Sequence, residues 1–229
     1  MDHGGMILSV HIRKCAGTSL RDSLKAAFGP RVLFDYGDHI GSSWPTSLAR
    51  RKQRQTAAQA NAAGLRTAYD LIHGHFYRRK YSFLGDGHAS ITMLRDPVER
   101  VLSNYHYLKR RPDRRNPDAL IVNALGFSLT EFARHPDNRN MQSQVLETSD
   151  LSEFAAVGLV ERYEESLAAF STVCGVSLAA GPPQNVNQGG RSDYVLSAAE
   201  RAVIENNNLA DLRLYDVARR RITQLSWAC

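Results

Sequence analysis

The chain has 229 residues, of which 43% are hydrophobic and 23% are charged. This length can bury a sizeable core, and we expect one domain over residues 1–229. The sequence has no apolar run near the roughly 20 residues of a membrane helix and no recognisable signal peptide. The three cysteines, Cys15, Cys174 and Cys229, lack metal-like spacing, which argues against a disulfide framework and favours a reducing compartment.

The formal net charge of +6 and the pI of about 9.4 predict an anionic ligand or partner. Four basic clusters lie near residues 50–54, 78–80, 109–115 and 219–221. Nucleic acid is the weaker explanation, because no helix-turn-helix, zinc-finger or RNP-type aromatic motif accompanies the charge. A solvated helix face is the simplest interpretation of each cluster.

The first predicted element is a buried strand at residues 6–11, followed by the sequence HIRKCAGTSL at residues 11–20 and a helical pattern. A strand that turns into a helix at such a loop is typical of phosphate binding, because the N–H groups of the first helical turn lack intrahelical partners. Gly17 allows close backbone approach, and Lys14 supplies an ammonium group. The loop is a poor nucleoside triphosphatase P-loop, since Lys14 precedes the glycine instead of following it.

A second apolar run ends in two histidines, His73 and His75. Strand alternation predicts that both side chains point to the same side, unless Gly74 bends the strand. A neutral imidazole can accept a proton at physiological pH, so either histidine is a candidate general base. A zinc site and histidines that only bind backbone groups are the alternatives, although no third metal ligand lies nearby in the sequence.

The apolar run at residues 89–94 leads directly into the sequence RDPVERVLSNY at residues 95–105. Asp96 before Pro97 predicts a helix that begins with an N-cap. The apolar residues keep helical spacing, which leaves Arg95 and Ser103 on an arc that can face a ligand. A capped amphipathic helix with a solvated arginine is the alternative.

The remaining strands are predicted near residues 31–35, 70–73 and 156–160, with helices between most of them. This alternation predicts an α/β fold: a P-loop-type parallel sheet of about five strands, with helices on both faces, in three layers. Residues 181–190 form a loop rich in helix breakers.

Together these motifs resemble those of the sulfotransferases that use 3′-phosphoadenosine 5′-phosphosulfate (PAPS), in the carbohydrate O-sulfotransferase branch. The loop of that branch usually reads HIPKTAGTS, from which this chain departs at Arg13 and Cys15. Residues 95–105 resemble the branch's 3′-phosphate motif, RDPxxRxxSxY. Residues 73–75 resemble the HGH segment of the heparan sulfate 2-O-sulfotransferases. Residues 158–167 resemble a strand-to-helix turn of the family.

The resemblance implies transfer of a sulfuryl group from PAPS to a hydroxyl of a carbohydrate or similar acceptor, with adenosine 3′,5′-bisphosphate as product and no metal required. It implies that Lys14 assists the leaving phosphate, and that His75, with His73 as alternative or partner, is the base. The expected donor site is formed by Arg13, Lys14, Cys15, Ala16, Gly17, Thr18, Ser19, Arg95, Ser103 and Arg191. Bound nucleotide is expected to protect Cys15 from thiol reagents.

Two other functions compete with this one: a P-loop kinase or other nucleotide-binding protein, and a non-catalytic anion-binding protein. The displaced lysine and the lack of a clear strand-Asp partner for Mg²⁺ count against a kinase. Because animal relatives are anchored in the Golgi, the missing anchor favours a cytoplasmic prokaryotic enzyme; a protein whose anchor lies outside this sequence is the alternative.

Overall fold

In a computed structural model of the protein, residues 5–38, 40, 45–85, 87–113, 116–181 and 195–226 are described. Five strands form one parallel sheet: β1 (Met6–Val10), β2 (Val32–Asp35), β3 (Leu71–Gly74), β4 (His88–Leu94) and β5 (Ala156–Leu159). Ten α-helices accompany them in the described part, besides short 3-10 helices: α1 (Gly17–Phe28), α2 (Pro45–Ala60), α3 (Ala62–Ala68), α4 (Pro97–Arg110), α5 (Pro117–Asn123), α6 (Leu129–Arg134), α7 (Met141–Leu146), α8 (Tyr163–Cys174), α9 (Ala198–Asn206) and α10 (Leu209–Ser226).

The strand order is β2-β3-β1-β4-β5, and every pairing is parallel. All residues of β1, β3 and β5 are buried, as expected for strands covered on both faces. The predicted α/β fold is therefore confirmed, and each predicted strand matches an observed one to within a residue or two at either end.

The strand order also predicts where a ligand binds. From β1 the chain moves towards β2 and β3 on one side, whereas from β4 it moves to β5 on the other. Ligands of open α/β sheets bind outside the carboxyl ends of the strands, at the point where the connections diverge. In this sheet, that point lies between the loop that follows β1 and the segment that follows β4.

Two apolar clusters support this edge of the sheet. The larger one surrounds the strands and includes Leu20 and Leu24 of α1 and Phe170 of α8. The smaller one joins α4, α5, α6 and α9, and it contains Val98 and Val101 from the predicted stripe of α4. None of the helices in the described ranges is long and apolar enough to cross a membrane.

Candidate active site at the carboxyl edge of the sheet

The loop at residues 11–16 connects β1 to α1 in an unusual backbone conformation. Lys14 and Ala16 both have positive φ angles, of 69° and 54°, which non-glycine residues rarely adopt. Ala16 is the N-cap of α1 and offers no side-chain acceptor, and the first turn contains no acidic residue. The N–H groups at the start of α1 therefore lack the capping partner that most helices have, as an anion-binding helix requires.

The Lys14 side chain extends to α4. Its Nζ lies 4.1 Å from the centroid of the Tyr107 ring, and the Arg111 guanidinium lies 5.2 Å from the same ring. Burial lowers the pKa of Lys14 to about 8, with further lowering from Arg95, Arg110 and Arg111. The lysine thus lies among like charges, an arrangement that a bound anion would stabilise.

Arg95 follows β4 and contacts the loop directly. Its Nη1 donates to the carbonyl oxygen of Lys14 over 3.2 Å, and its Nη2 lies 3.9 Å from Glu99. The buried Gln142 side chain of α7 holds the Arg95 backbone: Oε1 accepts from its N–H at 3.0 Å, and Nε2 donates to its carbonyl at 2.9 Å. The two phosphate motifs therefore meet at the divergence point of the sheet.

The predicted cap of α4 is confirmed, because Asp96 accepts hydrogen bonds from the N–H groups of Val98 and Glu99. The Asp96 N–H donates to Glu161, whose other carboxylate oxygen accepts from the Tyr215 hydroxyl. The segment at residues 158–167 thus serves to anchor the start of α4. Ser103 lies half-buried two turns along that helix, and its contact with a 3′-phosphate stays a prediction.

Several buried arginine nitrogens near the loop lack hydrogen-bond acceptors in the described part of the chain. Arg13 forms an ion pair with Asp118 of α5 through Nη1, but its Nε and Nη2 are enclosed and have no partner among the described residues. The same description, enclosed and without an acceptor among the described residues, applies to Nε of Arg95. It also applies to Nε and Nη1 of Arg100, whose side chain is fully buried. Enclosed cationic donors without acceptors cost free energy, so this arrangement favours an anionic ligand that supplies them.

Three histidines and a tyrosine cluster beside the loop. The His75 ring centroid lies 4.3 Å from that of His11 and 4.9 Å from that of Tyr36. His73 stacks on His11 at 5.3 Å, and its Nδ1 shares a 2.8 Å hydrogen bond with the Ser9 hydroxyl. Because both His73 and His75 contact the same ring, their side chains lie on one side, as the strand alternation predicts.

These histidines are neutral at physiological pH. Burial, followed by neighbouring positive charge from Arg21 and Lys14, lowers the pKa of His11 to about 3. Burial and the adjacent imidazoles hold the pKa values of His73 and His75 well below their ordinary range. A neutral ring can accept a proton, as a general base must. Within the described residues, no three His, Cys, Asp or Glu side chains are arranged to hold a metal ion.

A sequence model of the sulfotransferase family matches residues 1–177 of this chain. The chain belongs to the sulfotransferase family. No curated protein is significantly similar to it in sequence. The fold is similar to the crystal structure of a sulfotransferase from Alicyclobacillus acidocaldarius, with a TM-score of 0.52 and 16% identity over 94% of this chain and 96% of the other.

A second solved structure, an unliganded sugar kinase from Janibacter sp. HTCC2649, aligns with a TM-score of 0.43 and 12% identity. The alignment covers 78% of this chain and 99% of the kinase. A likeness at this level supports no conclusion about function.

The role expected of Cys15 needs correction in this sulfotransferase. Its side chain is fully buried, and its Sγ lies 3.8 Å from the Gln142 side-chain oxygen. Burial raises the pKa of the Cys15 thiol to about 12. Since the thiolate is the reactive species, thiol reagents should not modify Cys15 even without nucleotide, and the expected protection by nucleotide would not be observable.

The cluster at residues 78–80 is not a uniformly solvated face. Lys80 is buried and forms ion pairs with Asp35, the last residue of β2, and with Asp38, and Tyr81 donates to Asp35. The more exposed Arg54 of α2 binds the same two carboxylates. Some of the basic residues therefore form ion pairs within the fold instead of contributing to a free positively charged surface.

Sequence patterns did not identify three residues that contribute to this site: His11, Tyr36 and Tyr107. Only His11 carried a signal, since it lies in the loop motif. Tyr36 comes close through the strand order, which no local pattern reveals. Arg191, also expected in the donor site, lies outside the described residues, as does the loop at residues 182–190.

Gly17 is required at its position because the His11 ring packs against it. A Cβ atom there would lie 1.6 Å from Cε1 and Nε2 of His11. Gly17→Ala should therefore lower the free energy of unfolding by about 2 kcal/mol, the typical cost of overpacking. Urea unfolding measures this, with Gly181→Ala as control because no atom of the described residues lies within 4 Å of its Cβ position. If the two variants were equally stable, this packing would not be tight.

Proposed function

We propose that this sulfotransferase transfers a sulfuryl group from PAPS to a hydroxyl of a carbohydrate or similar polar acceptor. The observation that carries the proposal is the meeting of Lys14, Arg95 and the uncapped start of α1 at one edge of the sheet, beside neutral His75. Enclosed nitrogens of Arg13 and Arg95 have no partner among the residues that the structure describes, which supports a polyanionic ligand at this edge.

In this proposal the backbone N–H groups of Gly17, Thr18 and Ser19 bind the 5′-phosphosulfate end of the donor. Arg95 and Ser103 bind the 3′-phosphate, and Arg191 adds a contact to it. Donors fixed in the position where charge develops are the main source of catalysis in reactions of this kind.

The reaction exchanges one S–O bond for another and transfers one proton. His75 accepts the proton of the acceptor hydroxyl while that oxygen forms a bond to sulfur. The bond between sulfur and the bridging oxygen breaks, and its electron pair stays on the phosphate of the bisphosphate product. Lys14 neutralises that oxygen as its charge grows.

The affinity for adenosine 3′,5′-bisphosphate should fall as the pH rises through about 8. An anion favours the Lys14 ammonium, so the complex raises the pKa of Lys14 above its value of about 8 in the free protein. Binding is therefore strongest where Lys14 is already protonated, and it should weaken by about tenfold or more between about pH 7 and about pH 9.5.

Calorimetry across this range measures the effect. The ligand itself does not titrate there, because the second pKa of a phosphate monoester is near 6. Lys14→Arg is the matched control, since arginine stays charged throughout. An equally steep decline in the Lys14→Arg variant would show that another group is responsible.

The acceptor class is tested with PAPS labelled at sulfur, incubated with panels of glycans, lipids and small alcohols. We expect label in hydroxyl groups of carbohydrates or similar polar acceptors, and loss of that label in the Lys14→Ala variant. Transfer confined to lipids or simple alcohols would contradict the proposed acceptor, while leaving the donor site intact.

A further inference from the structure

The backbone of His11 joins the two halves of the proposed site. Its N–H donates to the carbonyl oxygen of Gly74 over 2.9 Å, between His73 and His75 in the chain. His11 is also the first residue of the loop that leads to α1. It therefore connects the phosphate-binding loop to the end of the strand that carries the candidate base.

The His11 ring fills the space between these two parts. One edge, formed by Cε1 and Nε2, occupies the place of a side chain at Gly17, the first residue of α1. The rings of His73, His75 and Tyr36 surround it, at centroid distances of 5.3, 4.3 and 6.0 Å. Its Nδ1 is enclosed with no partner among the described residues. The catalytic roles assigned above do not use this ring.

We propose that His11 is a positioning residue for sulfuryl transfer, whose ring holds His75 in place against the phosphate-binding loop and keeps water away from it. The inference rests on the proposed function, because it assigns His75 as the base. The proposal predicts that an anion bound at the loop changes the NMR signals of the His75 ring, because the His11 ring contacts both Gly17 and His75.

The charged and titratable groups around the cluster determine what loss of the ring should do. His75 is surrounded by His11, His73 and Tyr36, and Arg13 adds positive charge. Without the His11 ring, the half-buried His75 would be more exposed to water, and the burial that keeps its pKa low would be reduced. Arg13 and His73 remain, so the pKa should move towards the ordinary histidine value without reaching it.

The test follows the His75 ring by NMR titration, assigned with a His75→Gln variant, in the wild-type protein and in His11→Ala. We expect the titration midpoint of His75 to rise by about one pH unit or more in His11→Ala. We expect adenosine 3′,5′-bisphosphate to shift the His75 signals in the wild type and to have little effect on them in His11→Ala. His11→Phe should keep the low midpoint, because a ring again fills the space.

His88 provides the matched control, since it begins β4 at the opposite edge of the sheet. His88→Ala should leave the His75 midpoint unchanged. The rate of sulfuryl transfer from PAPS to the carbohydrate acceptor identified by the labelling experiment should fall about tenfold or more in His11→Ala, while calorimetry shows less than about a threefold change in bisphosphate affinity. If His11→Ala does not fold, His11→Phe and His11→Asn replace it, and Asn should raise the midpoint where Phe does not.

An unchanged His75 midpoint in the variants that lack a ring would overturn the proposal. Parallel losses of rate and of bisphosphate affinity would also overturn it, because His11 would then only support the loop. Failure of the wild-type protein to bind bisphosphate would contradict the proposed function instead. The response of the His75 midpoint to the loss of His11 could still be read in that case.

Discussion

Lys14→Ala should reduce sulfuryl transfer by about 10²-fold to 10³-fold, the usual cost of removing one donor that stabilises developing charge. Lys14 carries the ammonium group of the loop that connects β1 to α1. The proposed mechanism places this group at the oxygen that gains charge as the S–O bond breaks. The burial and neighbouring arginines that lower its pKa to about 8 also mean that folding disfavours the charged form. The fold should therefore tolerate its removal.

The measurement for Lys14→Ala is the initial rate of bisphosphate release from PAPS, together with thermal unfolding. Lys25→Ala is the matched control, because Lys25 is exposed in the last turn of α1, away from the loop. Near-normal turnover in Lys14→Ala with an intact fold would remove this lysine from the mechanism. A loss of rate that came with a lower unfolding temperature would indicate a structural role.

His75→Ala should lower the turnover rate by about 10²-fold or more while leaving the affinity for bisphosphate nearly unchanged. His75 lies beside the loop through its contact with His11, and its lowered pKa keeps the ring neutral, which is the form that can accept a proton. Removing the proposed base affects the chemical step, whereas the proposed phosphate-binding groups belong to the loop, to Arg95 and to α4.

His73→Ala separates the two candidate bases. His73 is fully enclosed and bound to Ser9, so its loss should mainly reduce stability, seen in urea unfolding, and should affect turnover less. Near-normal turnover in His75→Ala, with a large loss in a folded His73→Ala protein, would move the assignment to His73.

Local patterns predicted much of the fold and half of the site because the relevant physics is local there. Runs of buried apolar residues mark the strands of a parallel sheet. Asp96 followed by Pro97 marks the residue at which α4 begins. The resemblance of their motifs to those of PAPS-dependent sulfotransferases implied that Lys14 and Arg95 share a ligand. Their direct contact, 81 positions apart in the chain, depends on β1 pairing with β4.

The parts that could not be predicted depend on long-range packing. His11 contacts His75 because β1 also pairs with β3, and Tyr36 joins them because β2 lies on the far side of β3. Cys15 looked accessible in a ligand-binding loop, but Gln142 of α7 covers it. Lys80 looked like part of a surface charge cluster, but two aspartates at and just after the end of β2 bind it inside the protein. No periodicity or spacing in the sequence records such contacts.

Isothermal calorimetry with adenosine 3′,5′-bisphosphate tests the central claim most directly: that this edge of the sheet binds the two phosphates of a sulfuryl donor without a metal. The wild-type protein should bind the bisphosphate equally well with Mg²⁺ and with a chelator present, and should prefer it to ATP. Arg95→Ala should weaken that binding by about tenfold or more, the loss expected for a charged hydrogen bond. A preference for ATP, a requirement for Mg²⁺, or no nucleotide binding would contradict the claim.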